Sequence, residues 1–421
     1  MGARLSYPEV DLKDKVAIVT GGNTGIGYET VKAFAFMGAH TILACRSEER
    51  GQQAVDHLKE EGRTAGKEIK VELMKLDLSS LQSTKQFIED FKQKNLPLHL
   101  LICNAGIGGV LHGKTEDNLE LHFQVNHLGH LLICLELLPC MMNTDGDKRI
   151  VIVSSRAAKF FGVWDPSNLQ GDTSYGRAKF YGNSKLYNIM TMYALQRRIV
   201  DCGITVSSLH PGTVNTELVR YTDDVWYSWA IKAYFSAGRT PQQGAVTTIN
   251  CAVNLSLNSQ QAVYYNNCRP EQAPIAARNE QYQEELWRIS CDLLKDWMSP
   301  EIWSKYSPST ETTSTAAKQD SGNNDGDDQP TTTENKPVAD GDKPVEKPVE
   351  DGDRPIEDGE KPVEDGDRPV EDGDKPVEKP VEDGDGPVED GDKPAEDGEK
   401  PVDDGDKSMD NGDKPSESEN Q

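Results

Sequence analysis

Short apolar runs alternate with stretches of helical length over the front three quarters of the chain. The first run, Val16-Ala17-Ile18-Val19, is rich in β-branched residues and ends at Gly21-Gly22. An amphipathic stretch from Ile26 to Met37 follows, so the pattern predicts strand, turn and helix. Further runs lie at Thr41–Cys45, Val71–Leu76, Leu98–Cys103, Ile150–Val153 and Thr205–Leu209, each separated from the next by enough residues for a helix. A later run, Ala262–Tyr265, could complete the sheet before a helix over Glu280–Trp297. Strands alternating with helices need crossover connections, and these place helices on both faces of one parallel sheet. The expected fold class is therefore α/β, with a single doubly wound parallel sheet. Between the sixth strand and the last helix, Val219–Arg239 carries Trp226, Tyr227, Trp229, Tyr234 and Phe235. That richness predicts a lid over an apolar pocket, although a packed helix pair would give the same pattern.

Composition divides the chain in two. Of its 421 residues, with net charge −26, the stretch from Ser307 to Gln421 holds 38 acids against 13 bases and no aromatic residue or cysteine. The front is nearly neutral and holds every aromatic residue and cysteine, so a core is expected only there. Lys361-Pro362-Val363-Glu364-Asp365-Gly366-Asp367 and its close copies place a proline and a glycine in each repeat. Neither helix nor sheet survives that spacing. Residues 1–306 are thus expected to form one domain and 307–421 a disordered, low-complexity acidic tail. The Asp-Gly-Asp units lack the ligand frame of a calcium loop. The tail is read as an extended solubilising segment that could also meet a basic partner; no nucleic-acid partner is expected.

The eight cysteines are scattered without a C-x-x-C pair, which predicts reduced thiols in a cytoplasmic protein and no metal site. No charged n-region followed by an apolar h-region opens the sequence, so a cleaved signal peptide is not expected. The most apolar stretch, Leu128–Met142, is broken by His130 and Glu136, so no membrane span is expected. Met1-Gly2-Ala3-Arg4-Leu5-Ser6 fits the minimal pattern for myristoylation of Gly2, against an unmodified flexible terminus as the plainer reading.

The first strand-to-helix turn carries candidate chemistry. Gly21, Gly25 and Gly27, with Asn23, Thr24 and Ile26 between them, would let a pyrophosphate approach the backbone at a helix N-terminus. An acid that would hold a free ribose 2′-hydroxyl is expected about twenty residues further on. Cys45-Arg46 stands there instead; a guanidinium suits a 2′-phosphate, so NADP(H) is the expected cofactor. Near the end of the fifth strand lies Ser154-Ser155, followed by two Tyr-x-x-x-Lys pairs: Tyr175 with Lys179, and Tyr181 with Lys185. A lysine one turn along a helix favours ionisation of a phenol, which can then exchange a proton with a substrate oxygen positioned by a serine. Spacing alone does not choose between the pairs. His127 and His130 could mimic half a metal site, but no third ligand follows at a matching spacing.

Thr20–Gly27, Asn104-Ala105-Gly106, Asn126-His127-Leu128-Gly129, Ser155, Tyr181-Gly182-Asn183-Ser184-Lys185-Leu186 and His210-Pro211-Gly212 occur in that order. Together they resemble the short-chain dehydrogenase/reductase family, a Rossmann-type fold, over residues 12 to 298. Ala44-Cys45-Arg46, Phe123–His130 and Ser184–Asn188 are similar to its retinol dehydrogenase and WW-domain-containing oxidoreductase branch. The resemblance implies Tyr181 as acid/base, Lys185 as its partner and ribose contact, Ser155 as donor to the carbonyl oxygen and Asn126 as a proton-relay member. It favours Tyr181 over Tyr175, because the family tyrosine precedes Ser-Lys-Leu. It also implies cofactor contacts at Asp77, Asn104, Gly106, Pro211, Gly212 and Thr216. Tyr187, Cys103 and the length of the stretch between Ser155 and Tyr181 depart from the commonest family pattern, and with only Met1–Lys15 before the first strand no WW modules are expected.

The expected activity is interconversion of a carbonyl and an alcohol on a small lipophilic substrate such as a retinoid, steroid or other apolar aldehyde or ketone. A homodimer is compatible with it. The alternative is a catalytically weak scaffold or signalling protein built on the same fold.

Overall fold

The computed structural model describes residues 6–214, 238–258 and 260–308. The chain divides into two units, Met1–Asp325 and Gly326–Gln421; the second lies wholly outside the described residues, as do the acidic repeat, Gly2, Thr216 and most of the aromatic Val219–Arg239 segment.

Seven apolar runs form strands: β1 (Val16–Thr20), β2 (His40–Cys45), β3 (Lys70–Lys75), β4 (Leu100–Cys103), β5 (Lys148–Val153), β6 (Ile204–His210) and β7 (Val263–Asn266). They lie in one sheet of order β3-β2-β1-β4-β5-β6-β7-β8, and every pair up to β6–β7 is parallel. The order reverses beside β1, which opens a crevice at the carboxyl ends of β1 and β4. The eighth strand departs from the all-parallel expectation: β8 (Arg269–Pro270) pairs antiparallel with β7. Its connection is only Asn267-Cys268, at φ 52° and 60°, a two-residue turn that reverses the chain where a crossover would need a dozen residues or more.

Alternate strand residues serve opposite faces. Leu101, Ile150 and Ile152 join one core cluster, whereas Ile102, Val151 and Val153 join the other. The helices α1 (Gly25–Phe36), α2 (Glu48–Thr64), α3 (Leu81–Gln93), α4 (Leu121–Met142) and α5 (Arg177–Arg198) follow in turn. Then come α6 (Pro241–Val253), α7 (Glu280–Leu294) and α8 (Pro300–Tyr306). Phe34, Phe87, Phe91 and Trp287 are fully buried beneath them, each such burial contributing roughly 1.5–3 kcal/mol.

By length and composition α4 could cross a membrane, but 83% of its apolar window is buried inside the fold. His130 and Glu136, the polar residues that interrupt its most apolar stretch, have partners there. His130 Nε2 lies 2.9 Å from Thr20 Oγ1, while Glu136 pairs with Lys92 at 2.6 Å and accepts from the Ser299 amide at 2.6 Å. Such pairing is how a core helix keeps a charge.

Candidate active site

The carboxyl ends of β1, β4 and β5 open into a cleft of about 630 Å³. The β1–α1 turn forms one wall, with Gly21, Asn23, Thr24, Gly25, Ile26 and Gly27 all lining it. Gly27 is required by close approach: a Cβ there would lie 2.1 Å from the Gly21 carbonyl oxygen. The helix N-terminus is thereby brought against the strand end, where its amides can face a phosphate. Thr20 ties the neighbouring strand in. Its hydroxyl accepts from the amides of Asn104 and Ala105 at 2.9 Å each, and its carbonyl accepts from Asn104 Nδ2 at 2.8 Å. This knot, which also holds His130, was not singled out in sequence because it forms between β1, β4 and α4.

At the far end, exposed Arg46 follows β2 and lines the cleft with Ser47 and Arg50. The Ser47 side chain caps α2, so Arg50 lies one turn beyond Arg46 on the same rim; its position was not anticipated, though the Arg-x-x-x-Arg spacing held the signal. Asp77 also lines the cleft, but its carboxylate accepts from Ser79 N at 3.0 Å and Ser79 Oγ at 2.6 Å. It is bound into its own turn.

Ser155, Tyr181, Lys185, Pro211 and Gly212 line the other half. Strand β5 stops at Val153, so Ser154 and Ser155 lie just past it; Ser154 Oγ donates to the Lys185 carbonyl at 2.6 Å, fixing the strand end to α5. The Tyr181 hydroxyl shares a hydrogen bond with the Ser155 side chain. Burial raises the Tyr181 phenol above its ordinary range, and the Ser155 bond pulls it partly back. Lys185 is 4% exposed, donates from Nζ to the Val153 carbonyl at 3.1 Å, and sits 5.9 Å from the centre of the Tyr181 ring. Burial pushes it down to about 8. The expected lowering of the phenol by Lys185 is thus not the dominant effect here, because desolvation penalises both charged forms.

Asn126 does not line the cleft. It is fully buried in a π-helical turn of α4, Gln124–Leu128. Its Oδ1 accepts from Ile107 N at 2.8 Å, and Nδ2 donates to Ile107 O at 3.0 Å and Ser184 Oγ at 2.9 Å. It nevertheless approaches the lysine: a Cβ on Gly106 would meet Asn126 Oδ1 at 3.1 Å and Lys185 Nζ at 3.2 Å. Only a residue without a side chain leaves that junction open, and Gly106 with Asn104 borders the cleft.

The other tyrosine–lysine pair is separated by the fold. Tyr175 precedes α5, which starts at Arg177 behind the extended Gly176. Its hydroxyl donates to Val110 O at 3.0 Å, and Lys179 lies 3.8 Å from Asp165. Neither lines the cleft. His127 is buried against Ser290 at 2.9 Å and stacked on Phe123; burial pushes it down to about 3 and His130 to about 4. Both are core side chains, and among the described residues no three His, Cys, Asp or Glu gather as a metal site.

A family model described as short chain dehydrogenase matches residues 15–225. The chain is 41% identical over 285 residues to human retinol dehydrogenase 11, covering 68% of this chain and 87% of that one. It is 40% identical over 297 residues to the chicken WW domain-containing oxidoreductase, covering 68% and 69% respectively. Among solved structures, an uncharacterized protein from Mycobacterium paratuberculosis superposes with TM-score 0.54 at 26% identity, over 68% of this chain and 95% of that one. With the cleft at the carboxyl ends of a doubly wound sheet, the protein belongs to the short-chain dehydrogenase/reductase family of oxidoreductases.

Proposed function

We propose that the protein is an NADP(H)-dependent oxidoreductase that interconverts a carbonyl and an alcohol on a lipophilic substrate. The observation that carries this reading is the Tyr181 hydroxyl bonded to Ser155 in the cleft, with Lys185 one helical turn away. The glycine turn and the bare helix N-terminus suit a pyrophosphate, and Arg46 and Arg50 on the β2 rim suit a 2′-phosphate. Bound there, the dinucleotide supplies or accepts the hydride.

The chain's own part is positioning and proton transfer. Ser155 would hold the substrate oxygen by a hydrogen bond, and Tyr181, kept protonated by burial, would give it a proton during reduction. Lys185 would contact the ribose and offset the negative charge left on the phenol as it gives up its proton; Asn126 would hold the polar junction behind it. Asn104, Gly106, Pro211, Gly212 and Thr216 would border the nicotinamide half, and Asp77 the adenine. Val110, Leu121, Phe160 and Phe161 give the cleft an apolar wall, which supports a retinoid, steroid or other apolar aldehyde or ketone. The relatives' names point to the same class. All eight cysteines are free, which supports a reducing, cytoplasmic setting.

The test is turnover. The full chain should oxidise NADPH with retinal or a medium-chain aldehyde, and prefer NADPH to NADH. Arg46→Asp should reverse that preference by an order of magnitude or so, the scale of a lost charge-assisted bond. No turnover with any apolar carbonyl would sink the reading.

A further inference from the structure

A second cavity of about 440 Å³ lies beside the reaction cleft and shares Arg156, His210, Gly212 and Thr213 with it. Its character is opposite to that of the apolar wall: among the described residues its lining is, apart from glycines, entirely polar, includes the guanidinium residues Arg156 and Arg239, and holds no acid. None of the glycine turn and neither rim arginine, Arg46 or Arg50, reaches it.

The cations are placed by the fold. Arg239 donates from Nη2 to Asn267 Oδ1 at 2.7 Å and from Nη1 to Pro211 O at 3.3 Å, and its amide donates to Thr213 O at 2.8 Å. Its guanidinium lies against Gly212, where an added Cβ would meet Nη1 at 2.8 Å. Arg156 follows Ser155 directly and is exposed. Between them His210 is 5% exposed, and its Nδ1 accepts from the Arg156 amide at 3.1 Å and the Gly212 amide at 3.4 Å. A ring nitrogen that accepts carries no proton, so the neutral imidazole keeps its hydrogen on Nε2 as a donor. The two arginines hold that ring neutral, after burial, at about 4. Two cations and an imidazole N–H around a cavity whose described lining holds no acid form a site for an anion, and planar guanidinium groups match a carboxylate best.

We propose that this annex binds a carboxylate carried by the substrate itself, so that the preferred substrate is an amphiphilic oxo acid. Its carbonyl lies at Tyr181 and Ser155, and its acid group lies between Arg156 and Arg239. This rests on the carbonyl–alcohol reading above and narrows its substrate class.

The experiment compares the semialdehydes of succinic, adipic and azelaic acid, each as free acid and as methyl ester, with NADPH and the full chain. At least one acid should exceed its own ester in kcat/KM by about tenfold, the scale of one charge-assisted hydrogen bond. In Arg156→Gln and in Arg239→Lys that ratio should fall toward one through KM, while Arg156→Lys should keep part of it. Turnover of the esters with no acid preferred, or a preference that survives both Arg156→Gln and Arg239→Lys, overturns the annex and leaves the carbonyl reading standing. Turnover of no member overturns both.

Discussion

Tyr175 with Lys179 and Tyr181 with Lys185 have the same spacing, six residues apart in sequence, and the fold gives them opposite surroundings. Helix α5 begins at Arg177, so only the second pair shares a helix and projects one turn apart. Tyr181 meets Ser155 in the cleft, whereas Tyr175 is spent on the Val110 carbonyl and its ring packs 4.5 Å from that of Phe180. Lys185 is buried with its ammonium on a strand-end carbonyl; Lys179 reaches solvent beside Asp165. The comparison teaches that a spacing motif acts only once its helix has a start, and that Gly176 sets this one.

The largest expected effect separates the tyrosines. Tyr181→Phe should lower kcat by about a thousandfold, within the range of a lost general acid. Tyr175→Phe should leave kcat within a few fold. A Tyr181→Phe enzyme with undiminished kcat, alongside a dead Tyr175→Phe one, would reverse the assignment.

The lysines should differ by about a hundredfold or more in the same assay, with Lys185→Met inactive and Lys179→Met near normal. A pH profile sharpens this. Because burial sets Lys185 near 8, its ammonium is present below that pH and lost above it, while the raised phenol stays protonated. For carbonyl reduction, kcat/KM should therefore fall as pH rises through about 8, and Lys179→Met should keep that limb. A profile flat to pH 10 would contradict it.

The smallest effects are on stability. Tyr175→Phe removes a hydrogen bond to a loop carbonyl and should cost about 1 kcal/mol in denaturant unfolding. Lys179→Gln removes only a long, partly exposed ion pair and should change stability by less than about 0.5 kcal/mol.

Much of this was legible beforehand. All seven parallel strands fall within two residues of the apolar runs that predicted them, because a strand buried on both faces must be apolar along its length. The β7–β8 hairpin was not: Asn267-Cys268 lacks the glycine that usually marks a two-residue turn. The glycine turn, Arg46, Ser155, Tyr181 and Lys185 all lie in the cleft. Asn126 carried the same motif-level signal yet sits behind the wall, where its amide is bonded to Ile107 and Ser184. The annex left no local pattern at all; Arg156 and Arg239 stand far apart in sequence and share only the lining of one cavity with His210 at the end of β6.

By itself the sequence determined the order of strands and helices, the glycine turn and an arginine rather than an acid directly after β2, because these depend on local periodicity and residue type. The tertiary structure decided that Tyr181, which the resemblance favoured and spacing alone did not, lines the cleft, that burial rather than a neighbouring ammonium governs its phenol, and that two distant arginines share a cavity with no acid among its described residues. Desolvation and through-space charge depend on what packs around a group, and no run of neighbours along the chain encodes that.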